Sequence, residues 1–409
     1  MDFRTQVTRQ VHEMAREGCH PFGDVRVCML LHGLNRIGGT ERQALQLARE
    51  LRNLGIGVSF VTTWAQEGQG GENIPLGGLN VYSLSSPRLF WPGILRALWF
   101  LCGSLFLLVK HRRQYDVIHA HQLSVAGVIA CIAGRFLKRP VIILDVAAGP
   151  IGDVAQLKRS WLSSWRASLL QAANYYIALT PEIRDELKNL GLPETKILTI
   201  PNGVNTNFFQ PYLGAKAELR KTLSLPVSGK IVVFVGRLTG VKRLDFLLDA
   251  WKIVSDQEIN ATLLIIGDGP LKVGLVRKAK SLGVSSSVLF LGALPVDRVR
   301  DHLQASDLFV LPSASEGMPN ALLEATACSL PAVGTDIPSI RSVIENEEEG
   351  LLFRRDDKGD LADRILALLC DDEQRRRMGQ KARQKIQKKY TLARIAERYA
   401  EIYRELCSP

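Results

Sequence analysis

The sequence predicts an α/β protein made of two doubly wound halves, each with a parallel sheet. Segments with strand-like and helix-like hydrophobic patterns alternate along almost the whole chain, which is typical of βαβ architecture. The alternation begins near residue 25 and begins again near residue 231. A stretch rich in Gly, Asn, Pro and Ser, residues 203–229, separates the two series and indicates a domain boundary.

The first series opens with a βαβ unit. Residues 25–31 have the pattern of a buried strand, and a glycine turn is predicted at 38–41. Apolar residues at helical spacing between 44 and 51 then predict a helix, which Gly55 and Gly57 end. The other strands predicted in this half are residues 58–62, 79–82, 117–119, 141–144 and 176–179.

The second series repeats this organisation. A strand at 231–235 leads into a turn at 236–240 and a helix from about Leu244. Further strands are predicted at 263–266, 288–291 and 308–311. We therefore expect four parts in the chain: an N-terminal extension (1–24), a first domain (25–205), a second domain (206–390) and a C-terminal helix that crosses back to the first domain (391–409).

Composition excludes several classes of protein. The 409 residues are 46% hydrophobic and 23% charged, which is unlike collagenous or disordered chains. The seven cysteines form no C-x-x-C pair, and most lie in apolar settings, so we expect reduced thiols in the cytosol and no zinc site. Residues 1–24 lack the pattern of a secretory signal peptide.

The chain is basic, with 52 Lys and Arg against 41 Asp and Glu and a net charge of +11. Such a charge suits a nucleic acid, an anionic membrane surface or a phosphorylated substrate. The sequence contains no nucleic-acid recognition motif, so we expect no nucleic-acid partner. No G-x-G-x-x-G follows a strand either, which argues against a nicotinamide enzyme.

An apolar segment, residues 89–109, contains a single charged residue, Arg96. Its length fits a transmembrane helix, but the predicted strands 79–82 and 117–119 flank it closely. A single crossing would place those two strands on opposite sides of the bilayer. We favour peripheral contact with an anionic membrane, and a crossover helix buried in the domain is the main alternative.

Aromatic and cationic residues near the apolar segment favour the interfacial interpretation. Trp91 and Trp99 lie within it, and a cationic run at 110–113 follows it. Trp161 and Trp165 form a second aromatic pair among basic residues.

The strongest candidate site begins at Glu316 and ends at Glu324. This stretch follows the predicted strand at 308–311, and Pro319 suits the first turn of a helix. A helix N-terminus presents free backbone N–H groups and favours a phosphate or diphosphate. Carboxylates beside such an anion are repulsive unless they bind hydroxyl groups, and the hydroxyls of a sugar and a ribose fit that role.

The Glu-x7-Glu spacing of Glu316 and Glu324 resembles that of the retaining, glycogen-synthase-like group 1 glycosyltransferases. Four further segments resemble motifs of that family in the same order: residues 38–41, 116–121, 201–204 and 236–242. The resemblance implies a GT-B fold, in which two Rossmann-like domains face a central cleft. It also implies retaining transfer from a nucleotide-diphosphate sugar, without a cofactor or an essential metal. We expect a UDP-sugar rather than a GDP-sugar.

The resemblance assigns roles to donor-side residues. It implies that Glu316 binds hydroxyls of the transferred hexose and that Glu324 binds the ribose. Arg237 and Lys242 follow a strand, where open sheets bind ligands, and can neutralise the departing diphosphate. Gly39 has no Cβ, so its backbone can approach the phosphates from the other domain. The backbone N–H groups that would hold the diphosphate belong to the start of the helix: Met318, Asn320 and Ala321.

Two histidines lie on one predicted strand. His119 and His121 are two residues apart, so both side chains should face the same side of the sheet. By resemblance, His121 lies near the reacting sugar and its acceptor and positions them. His119 is expected to be a core residue or to lie behind the site, and neither histidine is expected to bind a metal.

The acceptor side departs from the family pattern. Where many relatives have a histidine-glycine turn, this chain has Asp145 followed by Val-Ala-Ala-Gly-Pro. Asp145 could supply a polar contact to the acceptor, or it could cap the loop.

These observations lead to one predicted function and one alternative. We expect a hexosyl- or N-acetylhexosaminyltransferase that acts on a glycan or lipid-linked acceptor in envelope or exopolysaccharide synthesis. It would be cytoplasmic and peripherally bound to the cytoplasmic face of the membrane. The alternative is a nucleotide-sugar epimerase or hydrolase on the same architecture, which would leave the apolar segment without a purpose.

Overall fold

A computed structural model of the chain describes residues 25–31, 38–64, 74–76, 79–85, 93–149, 152–159 and 163–408. Within these ranges two sheets with helices packed on them form two α/β halves, so the predicted fold class is confirmed. Trp91, Trp161 and the N-terminal extension predicted at 1–24 lie outside the described residues.

The first half is built on eight strands. Their bounds are β1 (Arg26–Leu30), β2 (Gly57–Trp64), β3 (Ile74–Leu76), β4 (Leu79–Ser85), β5 (Val117–Ala120), β6 (Val141–Asp145), β7 (Tyr175–Ala178) and β8 (Ile197–Thr199). The spatial order is β3-β4-β2-β1-β5-β6-β7-β8, and β3 alone pairs antiparallel. The order reverses between β1 and β5, and open sheets of this kind bind ligands at such a point.

The helices of this half connect successive strands. They are α1 (Gly39–Asn53), α2 (Gly93–Lys110), α3 (Val125–Leu137), α4 (Asp153–Lys158), α5 (Ser163–Leu170) and α6 (Pro181–Asn189). The predicted glycine turn at 38–41 is wrong, because α1 already begins at Gly39. The Glu41 carboxylate accepts a hydrogen bond from the Gly38 N–H at 3.0 Å, which satisfies one of the free donors at the start of the helix.

The second half has six parallel strands. They are β9 (Lys230–Val235), β10 (Ala261–Ile266), β11 (Val288–Gly292), β12 (Leu308–Leu311), β13 (Ala332–Thr335) and β14 (Gly350–Phe353). Their order is β11-β10-β9-β12-β13-β14, so the reversal lies between β9 and β12. The four residues of β12 are all buried, as expected for a parallel strand with helices on both faces.

The helices of the second half, in chain order, are α7 (Lys216–Thr222), α8 (Leu244–Ser255), α9 (Lys272–Ser281), α10 (Val296–Ala305), α11 (Asn320–Ala327), α12 (Pro338–Arg341), α13 (Lys358–Cys370), α14 (Asp372–Lys389) and α15 (Leu392–Cys407). The last of them, α15, returns to the first half and packs against α1, as the sequence predicts. Gly203 permits the return, since a Cβ on it would lie 2.7 Å from the Cα of Leu392.

The apolar segment forms a crossover helix, α2, that packs against α3 and β2. Its inner face buries Phe100, Leu107 and Leu108. Its outer face exposes apolar side chains at spacings of three and four residues: Leu95, Leu98, Cys102 and Phe106. None of the helices in the described ranges is both long and apolar enough to span a bilayer.

The six cysteines within the described ranges are free thiols. Burial raises the pKa of Cys28, Cys131 and Cys328 to about 12, so these thiols stay protonated and behave as small apolar core residues.

Candidate active site

The carboxyl ends of the two sheets face a common cavity of about 930 Å³. Loops that follow β5 and β6 line it from the first half, and loops that follow β9 and β12 line it from the second. Tyr399 on α15 also contributes to the wall. Both reversal points of strand order open onto this space, and its volume suits a nucleotide-sized ligand.

Two helix N-termini converge in the cavity. Helix α11 begins at Asn320, with Pro319 immediately before the helix rather than inside its first turn as the sequence predicts. Helix α1 begins opposite at Gly39, and the Asn320 side-chain amide donates to the Gly39 carbonyl at 3.4 Å. Met318 and Ala321 lie on the same wall. The positive ends of the two helix dipoles therefore favour an anion between them.

Gly39 lets the Asn320 side chain approach closely at this convergence. A Cβ added to it would lie 3.1 Å from the side-chain nitrogen of Asn320, which is tighter than ordinary van der Waals contact. The Asn202 amide in turn donates to the Asn320 side-chain oxygen at 2.8 Å. Asn320 is thus held between two segments of the first half, and the space that Gly39 leaves is used by this side chain.

The loop that follows β9 brings two cations into the cavity. Lys242 Nζ lies 2.5 Å from a carboxylate oxygen of Glu316, and the side chain of Glu316 is only 10% exposed. Arg237 lines the same cavity and takes part in none of the ion pairs between described residues. The sequence assigned Lys242 and Glu316 to different parts of the donor, and the structure pairs them with each other. Arg237 remains available to an anionic ligand.

Glu324 is buried on α11 and is 2% exposed. Its Oε1 accepts a hydrogen bond from the Arg42 guanidinium, which reaches across from α1. No partner for Oε2 occurs among the described residues. Burial raises the pKa of Glu324 to about 7, and the charge of Arg42 opposes that rise. Arg42 is the site residue that sequence reasoning missed.

The two histidines lie side by side, as the sequence predicts. Their ring centroids are 4.3 Å apart, and both side chains are buried. His119 Nδ1 lies 2.7 Å from the Tyr403 hydroxyl on α15, so its role is in the core behind the site. His121 lines the cavity, and its Nε2 has no partner among the described residues. Burial lowers the pKa of His121 to about 3, so the ring is neutral near pH 7.

Asp145 does not line the cavity, although its neighbours Leu144 and Val146 do. The buried Asp145 side chain accepts a hydrogen bond from the Ala147 N–H at 3.4 Å. Of the two roles that the sequence left open, this hydrogen bond agrees with the cap of the loop, and the contact with the acceptor stays a prediction. The strand ends at Asp145, one residue later than the sequence pattern predicts, so Asp145 lies inside the sheet.

A second buried carboxyl group, that of Asp153, lies beside Asp145. Its Oδ2 accepts from the backbone N–H of Leu123 at 3.1 Å, which fixes the segment that follows His121. Burial, and then the neighbouring Asp153 charge, raise the pKa of Asp145 well above its usual range. Burial also raises the pKa of Asp153. Both carboxyl groups are therefore harder to ionise than an exposed aspartate, and Asp153 holds the segment after His121 in place.

Within the described residues, no group of three His, Cys, Asp or Glu side chains is placed to hold a metal ion.

Comparison with known families and proteins agrees with this geometry. Residues 215–385 match the family described as Glycosyl transferases group 1, and residues 37–208 match Glycosyltransferase Family 4. The N-acetyl-alpha-D-glucosaminyl L-malate synthase of Bacillus anthracis is 29% identical to this chain, and the alignment covers 72% of this chain and 76% of the synthase. The UDP-Gal:alpha-D-GlcNAc-diphosphoundecaprenol alpha-1,3-galactosyltransferase of Escherichia coli is 28% identical to this chain, and the alignment covers 73% of this chain and 78% of the galactosyltransferase.

Solved structures share the fold at low sequence identity. Anabaena HepE in complex with UDP and glucose superposes with a TM-score of 0.76 at 19% identity, covering 92% of this chain and 99% of HepE. Sucrose-phosphate synthase of Thermosynechococcus elongatus gives a TM-score of 0.77 at 21% identity, covering 93% and 99% of the two chains.

Proposed function

The chain belongs to the group 1 glycosyltransferases with a GT-B fold, and we propose that it transfers a hexose or N-acetylhexosamine from a UDP-sugar to a lipid-linked saccharide. The transfer retains the anomeric configuration and needs no metal ion. The observation that carries the proposal is the cavity in which two helix N-termini, Arg237, Lys242 and two glutamates meet.

The donor side of the cavity suits each part of a nucleotide sugar. The convergent starts of α1 and α11, together with Arg237, offer a site for a diphosphate. The unpartnered Oε2 of Glu324 can accept a hydrogen bond from a ribose hydroxyl, and Glu316 can accept one from the hexose. HepE was solved with UDP and with UDP-glucose, and the E. coli relative is named for UDP-Gal, which supports UDP as the nucleotide.

In the proposed reaction the bond between the anomeric carbon and the diphosphate oxygen breaks, and the acceptor oxygen bonds that carbon on the same face. The acceptor proton passes to an oxygen of the departing phosphate. Arg237 and Lys242 stabilise the negative charge that grows on this group. A His121 ring that is neutral near pH 7 and has a pKa of about 3 is a poor base, so it positions the reacting groups through a hydrogen bond.

The outer face of α2 supports a membrane-associated acceptor. The exposed side chains of Leu95, Leu98 and Phe106 form an apolar stripe, and the cationic residues Arg112 and Arg113 follow the helix. Phe136 on α3 and Trp165 on α5 are also exposed, and α3 packs against both α2 and α5. Such a surface suits the cytoplasmic face of an anionic bilayer. The E. coli relative is named for a diphosphoundecaprenol-linked acceptor.

A nucleotide-sugar epimerase or hydrolase would use the same donor site. Neither activity needs a glycan acceptor, and neither explains the exposed apolar stripe on α2. Glycosyl transfer is therefore favoured.

The test is to incubate the enzyme with UDP-sugars and a lipid-linked saccharide and to follow the anomeric protons by NMR. Transfer with retention, unchanged after treatment with EDTA, is the expected result. An inverted product would refute retention. Free sugar released at the same rate without an acceptor would favour the hydrolase, and an altered sugar on the nucleotide would favour the epimerase.

A further inference from the structure

The Arg42 side chain connects the two halves of the molecule at the donor site. It projects from the first turn of α1 and binds Glu324 on α11, a residue 282 positions away in the chain. Both side chains are largely shielded, with 27% of Arg42 and 3% of Glu324 exposed. Both residues also line the cavity. A buried ion pair at a ligand site affects the ligand through its charge and its geometry.

The two oxygens of the Glu324 carboxylate have different surroundings. Arg42 occupies Oε1, whereas Oε2 is buried and has no partner among the described residues. A buried carboxylate oxygen without a partner costs free energy, and a hydroxyl donor from a ligand would satisfy it. Arg42 therefore restrains the rotamer of Glu324 and leaves Oε2 without a partner among the described residues.

We propose that Arg42 is a positioning residue for the nucleotide: it holds Glu324 as an oriented carboxylate across the cleft, so that Oε2 accepts a hydrogen bond from a ribose hydroxyl. The inference rests on the proposed nucleotide-sugar donor. It assigns part of the nucleotide site to the first half of the molecule and makes affinity for the nucleotide depend on contact between the two halves.

The charge state of Glu324 gives the inference a distinctive readout. The charge of Arg42 on α1 acts on Glu324, and Glu324 in turn acts on Cys328 at the end of its own helix. On the elements that pack nearby, Arg383 of α14 and Arg300 of α10 influence Cys328. The thiol of Cys328 has a pKa of about 12 and stays neutral, and arginines stay charged, so Glu324 is the group that titrates near neutral pH.

The first experiment compares Arg42→Gln with the wild type by thermal unfolding between pH 6 and pH 9, without nucleotide. A carboxyl whose pKa is higher in the folded than in the unfolded chain loses stability as pH rises through the folded value. Removal of Arg42 raises the pKa of Glu324 further, so the deficit in unfolding temperature should grow from pH 6 to pH 9. The pH-dependent part should vanish in the double variant Arg42→Gln/Glu324→Gln.

The second experiment measures the affinity for UDP by calorimetry over the same pH range. The Kd of Arg42→Gln should rise about tenfold at pH 7 and should stay above the wild-type value at high pH, because deprotonation restores the charge of Glu324 but not its orientation. Arg398→Gln is the matched control, because the ion pair between Arg398 and Glu401 is 61% exposed on both sides. It should change neither the unfolding profile nor the affinity.

Three results would overturn the inference. If Arg42→Gln binds UDP as tightly as the wild type or more tightly at every pH, Arg42 does not position the nucleotide and at most competes with it. An unfolding deficit that is constant with pH, and that the double variant retains, would mean that Arg42 only packs. A wild type that binds no nucleotide would refute the proposed function itself, whereas wild-type binding that Arg42→Gln leaves unaltered refutes only the role of Arg42.

Discussion

The backbone carbonyl of Val146 approaches Gly317 so closely that a Cβ on the glycine would lie 1.8 Å from the carbonyl oxygen. Val146 follows β6 in the first half, and Gly317 follows β12 in the second. Nearby, the Ser315 hydroxyl donates to the carbonyl of Ala148 at 3.1 Å. These contacts hold the loop that follows β6 against the loop that carries Glu316, and they fix the two sides of the cavity relative to each other.

Substitution of Gly317 by Ala should separate these loops. A carbon atom cannot lie 1.8 Å from the Val146 carbonyl oxygen, so the two halves must shift apart. A displacement of the reacting groups by about 1 Å lowers a rate about a hundredfold, and we expect the rate of transfer to fall by that factor. Steady-state kinetics would measure the loss. Gly274→Ala on α9 is the matched control, because a Cβ there meets nothing within 4 Å. Equal activity of both variants would show that the loop contact is dispensable.

Substitution of Glu324 should mainly weaken nucleotide binding, whereas substitution of Glu316 should mainly slow catalysis. Glu324→Gln removes a charged acceptor for the nucleotide, so the Kd for UDP should rise about tenfold or more. Glu316→Gln should leave the Kd for UDP within about threefold and lower kcat about a hundredfold, since the contact proposed for Glu316 is with the transferred hexose and not with the nucleotide. Calorimetry and initial rates measure the two effects. If both variants lose nucleotide affinity equally, the division of roles is wrong.

The Asp145–Asp153 pair should make the protein less stable as pH rises. Burial raises the pKa of both carboxyl groups above their unfolded values, so the folded chain binds more protons and loses stability on deprotonation. Asp145→Asn mimics the protonated state, and its unfolding temperature should exceed that of the wild type by a margin that widens from pH 5 to pH 8. Asp363→Asn, at an exposed position of α13, is the control. A margin that narrows with pH would contradict the assignment.

Polar substitution of the α2 stripe should release the protein from membranes. Leu98→Ser/Phe106→Ser removes two side chains that are 50% and 60% exposed, so folding should be nearly unaffected. Each large apolar side chain contributes about 1.5–3 kcal/mol when buried, and the bound fraction should fall several-fold in co-sedimentation with anionic liposomes. Leu213→Ser, at a position 95% exposed, controls for surface hydrophobicity. Unchanged binding would contradict membrane contact through α2.

Much of the fold could be predicted because the long strands are buried on both faces and have continuous apolar runs. The four missed strands, β3, β8, β13 and β14, have only three or four residues each. β13 consists of Ala-Val-Gly-Thr, and β3 and β8 have three residues each, so only pairing with neighbouring strands makes them regular.

Glu316, Glu324 and Arg237, which the structure places in one cavity, lie in local motifs that mark them as candidates in the sequence. The role of Arg42 could not be predicted, because it depends on an ion pair with Glu324, 282 residues away. One arginine on an amphipathic helix carries no signal of an ion pair across the cleft. Asp145 was ambiguous for the same reason, since only the position of Asp153 shows that the carboxyl group is buried against another one.

The most direct test of the central claim is nucleotide binding by the full chain, measured as the shift in unfolding temperature with UDP, GDP and ADP. A ligand that binds only the folded state stabilises it in proportion to the logarithm of its concentration above the Kd. UDP should raise the unfolding temperature progressively with concentration and more than GDP or ADP, and Arg237→Ala should reduce the shift. No shift with any of the three nucleotides would contradict the assignment of this cavity to a nucleotide sugar.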